Sequence, residues 1–178
     1  MEFNGKRLFI GLELPDHQQQ QLARLTTDLP GARWHLPQDL HITLRFLGQT
    51  DTESQRAVSQ LLENTTATPF SLQICGLGHF KQRILWAGLT HADPLFALNK
   101  QLNEDLQALN LNADMHDYHP HITLARIKAG HEQALRDYLQ THRQLNLPSW
   151  TVKHLSLFES RLHEQGQYQV LERYPFTD

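Results

Sequence analysis

The tetrapeptide His-Ile-Thr-Leu occurs twice in this chain of 178 residues, at His41–Leu44 and at His121–Leu124, 80 residues apart. A repeat at close to half the chain length constrains architecture strongly, because each copy marks one supersecondary unit. Successive strand side chains point to opposite faces, and residues two apart share a face. His41 and Thr43 therefore lie on one face, as do His121 and Thr123, with Ile42, Leu44, Ile122 and Leu124 on the other. One copy alone reads as a half-buried strand with its polar side in water. Two copies with matching flanks are poorly explained by core packing.

The flanks repeat as well. Residues 7–14 (RLFIGLEL) and 83–90 (RILWAGLT) read as strands. Pro15 opens a helical stretch with Leu22, Leu25 and Leu29 on one face. Asp93 and Pro94 read as N-cap and first residue of a second helix, striped by Leu95, Leu98, Leu102, Leu106 and Leu109. After the first copy, Thr50 and Glu53 resemble a capping box ahead of Ala57, Val58, Leu61 and Leu62. After the second, Ala134, Leu135, Tyr138 and Leu139 form the matching face. Strands beginning at Phe70 and Trp150 close the two units, and 167–176 reads as a last strand. The expected fold is α+β, a single domain over 1–178 with an internal repeat of roughly 7–80 and 83–178. Its two lobes are related by a pseudo-twofold axis. Each is an antiparallel or mixed sheet with outer helices, and they flank a central cleft where the His-x-Thr pairs meet.

Two imidazoles and two hydroxyls in one cleft suit an in-line displacement at phosphorus. One histidine takes a proton from the attacking water and the other gives one to the departing oxygen. The ordinary imidazole pKa, about 6.5, lies near working pH for both roles. The threonine hydroxyls can hold the non-bridging oxygens and stabilise developing charge. Nothing in this scheme calls for a metal or a cofactor.

Composition bounds the setting. The net charge of −3 does not fit a sequence-blind duplex binder, though it leaves room for a local patch gripping one nucleic-acid end. No run of about 18 apolar residues suggests a membrane span, and the N-terminal residues lack the pattern of a signal peptide. The one cysteine, Cys75, cannot staple a fold and reads as a small buried hydrophobe on a strand. The expectation is a cytoplasmic protein.

The motifs resemble the signature of the 2H phosphoesterases. Within that superfamily the chain is similar to the LigT-like bacterial RNA 2′,3′-cyclic phosphodiesterases, also called 2′-5′ RNA ligases. The resemblance runs through RLFIGLELP, LHITLRFLG, RILWAGL, HPHITLARI and the strand leading to LFES. It implies metal-independent hydrolysis of RNA 2′,3′-cyclic phosphate ends to 2′-phosphomonoesters, with reversible, ATP-independent 2′-5′ ligation as a second activity. The substrate is an RNA end or a small nucleotide with a 2′,3′-cyclic phosphate, such as a cyclic phosphate of ADP-ribose. The protein is expected to act as a monomer without a cofactor. His41 is implied as proton donor, His121 as proton acceptor, and Thr43, Thr123 and Arg126 as phosphate-binding residues. Strict parity puts Arg126 with Ile122 and Leu124, so it reaches the site only if the strand bulges. Arg45 shares the parity of His41 where the family usually has a small or apolar residue.

Other residues compete for roles. His116, His119 and His121 suggest a metal-dependent hydrolase, although metal sites need three or four convergent ligands and Pro120 interrupts the run. His119 fits better as support for the fold or the pocket rim. Lys81 and Arg83 near a turn form a candidate patch for RNA phosphates. Phe9 reads as core, and Trp34 is open to stacking on a base. A binding module that grips phosphorylated RNA ends without turnover is the remaining class, and the presence of both histidines argues against it.

Overall fold

The computed structural model describes residues 5–111, 117–161 and 167–177. Among the described residues nine strands run in chain order: β1 (Lys6–Glu13), β2 (Ala32–Trp34), β3 (His41–Thr50), β4 (Phe70–Phe80), β5 (Ile84–Thr90), β6 (His121–Ile127), β7 (Trp150–Val152), β8 (His154–Ser160) and β9 (Tyr168–Pro175). Four α-helices among the same residues join them: α1 (Asp16–Ala23), α2 (Thr52–Glu63), α3 (Asp93–Ala108) and α4 (Glu132–Thr141). The fold is α+β.

All pairings are antiparallel, in the order β7-β4-β5-β6-β3-β1-β8-β9, with β2 alongside β6. No parallel pairs occur among the described residues, so the mixed-sheet alternative drops out. Matched strands do not face each other as separate sheets. β3 and β6, which carry the two motifs, are neighbours in one sheet path. Outward from that junction, β5 and β4 on one side mirror β1 and β8 on the other. The strand at 70–80 therefore pairs with β5 from the later half of the chain, and β8 pairs with β1 from the earlier half. The halves of the sheet are not the halves of the sequence.

Apolar periodicity places the core as expected. Leu95, Leu98, Leu102 and Leu106 of α3, Val58 and Leu62 of α2, and Leu135 and Tyr138 of α4 are buried. Each such leucine contributes about 1.5–3 kcal/mol by leaving water. Leu8, Phe9, Ile10 and Leu12 are all buried because β1 lies between β3 and β8. Leu25 and Leu29 are buried too, but in the chain beyond the short helix α1.

Element ends shift where local signals compete. Thr50 is the last residue of β3, and Asp51 caps α2 by accepting from the Ser54 N–H at 2.8 Å. Asp93 is already helical, so Pro94 is the second residue of the helix and not the first. The 150–160 run is two strands broken at Lys153, because β7 pairs with β4 whereas β8 pairs with β1. Cys75 is exposed. It stands where the β4–β5 ladder slips between Ile74 and Leu77, which turns it away from the core.

Candidate active site

One register pair, Ile42 with Ile122, joins β3 to β6. Beyond it the strands part, and β2 takes the vacated edge of β6, with Arg33 opposite Arg126 and Trp34 opposite Ala125. Each motif strand carries a bulge at the same place. Thr43 pairs with Gly11 and Arg45 with Ile10, so Leu44 has no partner in β1. Likewise Thr123 pairs with Trp86 and Ala125 with Leu85, which leaves out Leu124. A bulge reverses strand parity. Arg45 turns inward and is 5% exposed, matching Ala125, which is fully buried. Phe46 and Arg126 emerge on the histidine face instead, both exposed. The bulges therefore overturn the parity placement of both arginines: Arg126 joins the site face, and Arg45 leaves it. Within the protein, the Arg45 guanidinium donates to the Phe46 carbonyl at 2.6 Å.

The bulges free one carbonyl in each copy. The Asn99 side chain of α3 donates to Leu44 O at 2.7 Å, and the His35 N–H donates to Leu124 O at 2.8 Å. Buried carbonyls need such partners, so these two donors hold the motif strands in their bulged form. Tyr118 adds a hydroxyl donated to Thr43 O at 3.0 Å.

The two imidazoles are anchored alike. His41 Nδ1 lies 2.8 Å from Asp39 O, and His121 Nδ1 lies 2.6 Å from His119 O, in each case the carbonyl two residues back. A carbonyl only accepts, so each Nδ1 carries the proton, which leaves Nε2 as the acceptor nitrogen. Thr43 Oγ1 donates to His41 Nε2 at 3.1 Å. Thr43, Thr123 and both histidines are partly buried, at the mouth of the sheet junction.

Aromatic walls set the polarity. Phe9, Phe158 and Tyr168 surround His41, with ring centroids at 4.8, 5.6 and 4.6 Å. Phe80 and Trp86 lie 4.9 and 6.4 Å from His121. Trp86 fits because Gly78 has no side chain, where a Cβ would fall 2.3 Å from the indole. Burial pushes the His41 pKa down to about 4, opposed by the Asp39 carbonyl and reinforced by His35 and His121. Burial also lowers His121, opposed by the His119 carbonyl and reinforced by the His119 ring. Burial thus favours the neutral form of both imidazoles, and a bound phosphate anion would raise them again.

A cavity of about 270 Å³ opens beside Thr43 and His121, lined further by Phe46, Phe80, Tyr118 and His119. The His119 and His121 rings are 6.2 Å apart, and His116 lies outside the described residues. No three His, Cys, Asp or Glu side chains converge as a metal cluster among the described residues. Phe9 is buried and stacked on Phe158, and it also floors His41. Trp34 packs on Tyr138 of α4 and donates to Thr27 O, so it belongs to the helix side of β6. Lys81 and Gln82 form the β4–β5 turn, both with positive φ. The charge of Arg83 acts on Glu132.

Sequence reading missed His35, Asn99 and Tyr168. His35 stacks on Tyr168 with centroids 6.3 Å apart, and burial, Arg126 and Arg33 lower its pKa against the pull of Asp39. Tyr168 comes from β9, and its N–H donates to Asp39 Oδ1 at 3.3 Å across 129 residues of sequence. No local pattern marks such a contact. For His35, its place six residues before His41 in an imidazole-rich stretch is a usable signal.

The curated RNA 2′,3′-cyclic phosphodiesterase of Methanocaldococcus jannaschii is 24% identical over 176 residues, covering 94% of this chain and 99% of that protein. The protein of the same description from Escherichia coli K12 is 30% identical over 126 residues, covering 68% of this chain and 72% of that one. The crystal structure of E. coli LigT complexed with 3′-AMP superposes with a TM-score of 0.78 at 24% identity, over 98% of this chain and all of that one, and so shares the fold. The model of the 2′-5′ RNA ligase superfamily matches residues 14–164, a span that holds both His-x-Thr strands and the junction between them, and the chain belongs to that superfamily.

Proposed function

We propose that this chain is a metal-independent RNA 2′,3′-cyclic phosphodiesterase that uses His41 as acid and His121 as base. The observation that carries the reading is the matched anchoring of the two imidazoles. Each Nδ1–H is tied to the carbonyl two residues back, which leaves both Nε2 atoms as acceptors, that of His41 beside Thr43. The curated relatives of that description support the substrate class. On this reading the two sides of the sheet act as two lobes related by a dyad near the Ile42–Ile122 pair.

In the reaction, water oxygen bonds to phosphorus as the bond from phosphorus to O3′ breaks. His121 Nε2 takes the water proton, and the charged His41 gives its Nε2 proton to O3′. The product is a 2′-phosphomonoester with a free 3′-hydroxyl. Thr43, Thr123 and Arg126 hold the non-bridging oxygens, which is positioning together with charge stabilisation. The low pKa of His41 suits an acid that is strong once the charge of the bound phosphate has raised its pKa and it has taken a proton from solvent. With the 5′-hydroxyl of a second RNA in place of water, the same steps yield a 2′,5′-diester.

The test is incubation with an oligonucleotide ending in 2′,3′-cyclic phosphate and identification of the product isomer. A 2′-phosphate is expected. A 3′-phosphate would reverse the assignment of the leaving oxygen, and no turnover would favour a binding module.

A further inference from the structure

Arg33 of β2 and Arg126 of β6 are direct antiparallel partners, so their side chains leave the same face of the sheet. Both are exposed, and neither forms an ion pair or side-chain hydrogen bond among the described residues. Arg7 is exposed as well and shares the face of Phe9 on β1, toward His41. All three guanidinium groups act on Tyr168, with Asp39 the carboxylate that acts on it alongside them. Tyr168 touches His41 edge-on and lies parallel to His35. Like charges set directly opposite one another weaken a strand pair. Keeping two arginines there, on the face of the reacting centre and neither of them ion-paired to a carboxylate, makes sense if an anion binds beside them.

We infer that Arg33, together with Arg7, forms a subsite for a second phosphate, one nucleotide away from the reacting phosphorus, with Arg126 between the two phosphates. The preferred substrate is then a polynucleotide end and not a bare cyclic nucleoside. The inference rests on the phosphodiesterase reading and adds to it the residue, Arg33, that would tell a phosphorylated end from a bare cyclic nucleoside. The strand would leave the His41 side of the junction, pass the parallel rings of His35 and Tyr168, and meet the arginines with its next phosphate. Arginine suits this role because its planar fork matches phosphate oxygens.

The experiment compares kcat/KM for adenosine 2′,3′-cyclic phosphate and for the same compound carrying a 5′-phosphate. The wild-type protein should prefer the 5′-phosphorylated compound by about tenfold or more, the worth of a charge-assisted contact. Arg33→Ala should bring that ratio close to one, and Arg33→Lys should keep most of it. The salt dependence of log KM for the phosphorylated substrate should flatten by about one unit of slope in Arg33→Ala. Should Arg33→Ala fail to fold, Arg33→Gln reads the same ratio. A wild-type ratio near one, or a ratio that the Arg33 variants leave unmoved, overturns the subsite while the phosphodiesterase reading stands. Failure to turn over either compound overturns that reading and the subsite with it.

Discussion

Ile42 of β3 is the ladder partner of Ile122 of β6. Each motif histidine is the first residue of its strand at this junction, and His121 acts electrostatically on His41 across it. The carbonyl anchors of the two rings follow the same symmetry, as do the bulges that follow each motif. A reacting phosphorus placed near this pair would have one imidazole on either side, as in-line displacement requires.

His41→Ala and His121→Ala should each lower kcat on a cyclic-phosphate end by about 10²–10⁴-fold, the usual worth of a positioned acid or base. The double variant should lose less than the product of the two, because the pair works as one unit. Thr43→Ala and Thr123→Ala should be milder. Single-turnover rates of all five variants decide this, and near-normal turnover by either histidine variant would remove that residue from proton transfer.

The pH profile follows from the direction of the shifts. His41 is lowered to about 4 and His121 is lowered from 6.5, both mainly by burial. The acid must be protonated and the base neutral, so kcat/KM, which reports the free protein, should peak below pH 6.5. Bound phosphate raises both imidazoles, so the kcat profile should lie at higher pH. A kcat/KM optimum above pH 7 would contradict the assignment.

Glu13 should tie acid stability to the β1–β8–β9 side. Burial alone would raise its pKa, but Arg173, Ser156 and His154 together hold it at about 2, below its ordinary 4.5. Arg173 grips both carboxylate oxygens at 2.7 and 2.8 Å, and Ser156 donates at 2.7 Å. The folded pKa is depressed, so the contribution is complete above pH 4.5 and is lost as pH falls toward 2. Glu13→Gln should cost about 2 kcal/mol at pH 7, allowing for solvent screening. Urea unfolding should show that gap closing between pH 4.5 and 2.5. A gap that stays constant across this range would mean the charge is not its cause.

Asn99→Leu should strip the donor from the bulge carbonyl of Leu44. An unsatisfied buried carbonyl costs about 1–3 kcal/mol, so the urea midpoint should fall at unchanged slope. Activity should drop further than stability explains, since Thr43 is the residue before the bulge. Full activity in a folded Asn99→Leu protein would mean that the bulge does not need this donor.

Turnover should persist in excess EDTA, because acid, base and phosphate donors are all assigned to side chains. Complete loss with restoration by one divalent ion would replace this mechanism with metal-assisted hydrolysis.

Periodicity made most of the elements legible. The leucine stripe of α3 and the alternation in β3 and β6 are statements about residues a few places apart, and burial follows them. The four residues of the duplicated motif were legible for the same reason, since two copies with one spacing stand out against any background. Parity counting failed at Arg45 and Arg126 because it assumes an unbroken ladder. Whether Leu44 or Leu124 pairs is settled by the partners β1 and β5 and by donors from α3 and from His35, none of them adjacent in sequence.

By itself the sequence determined the α+β class and the duplicated motif that sets a histidine and a threonine on one strand face in each copy, because these depend on residue type and short-range period. Folding decided that β4 and β8 trade sides of the sheet, that both motif strands bulge, and that Tyr168 and His35 close around His41. These features arise from hydrogen bonds and packing between segments tens to more than a hundred residues apart. Their energies depend on which strand edge and which carbonyl remain open after the rest of the sheet has paired.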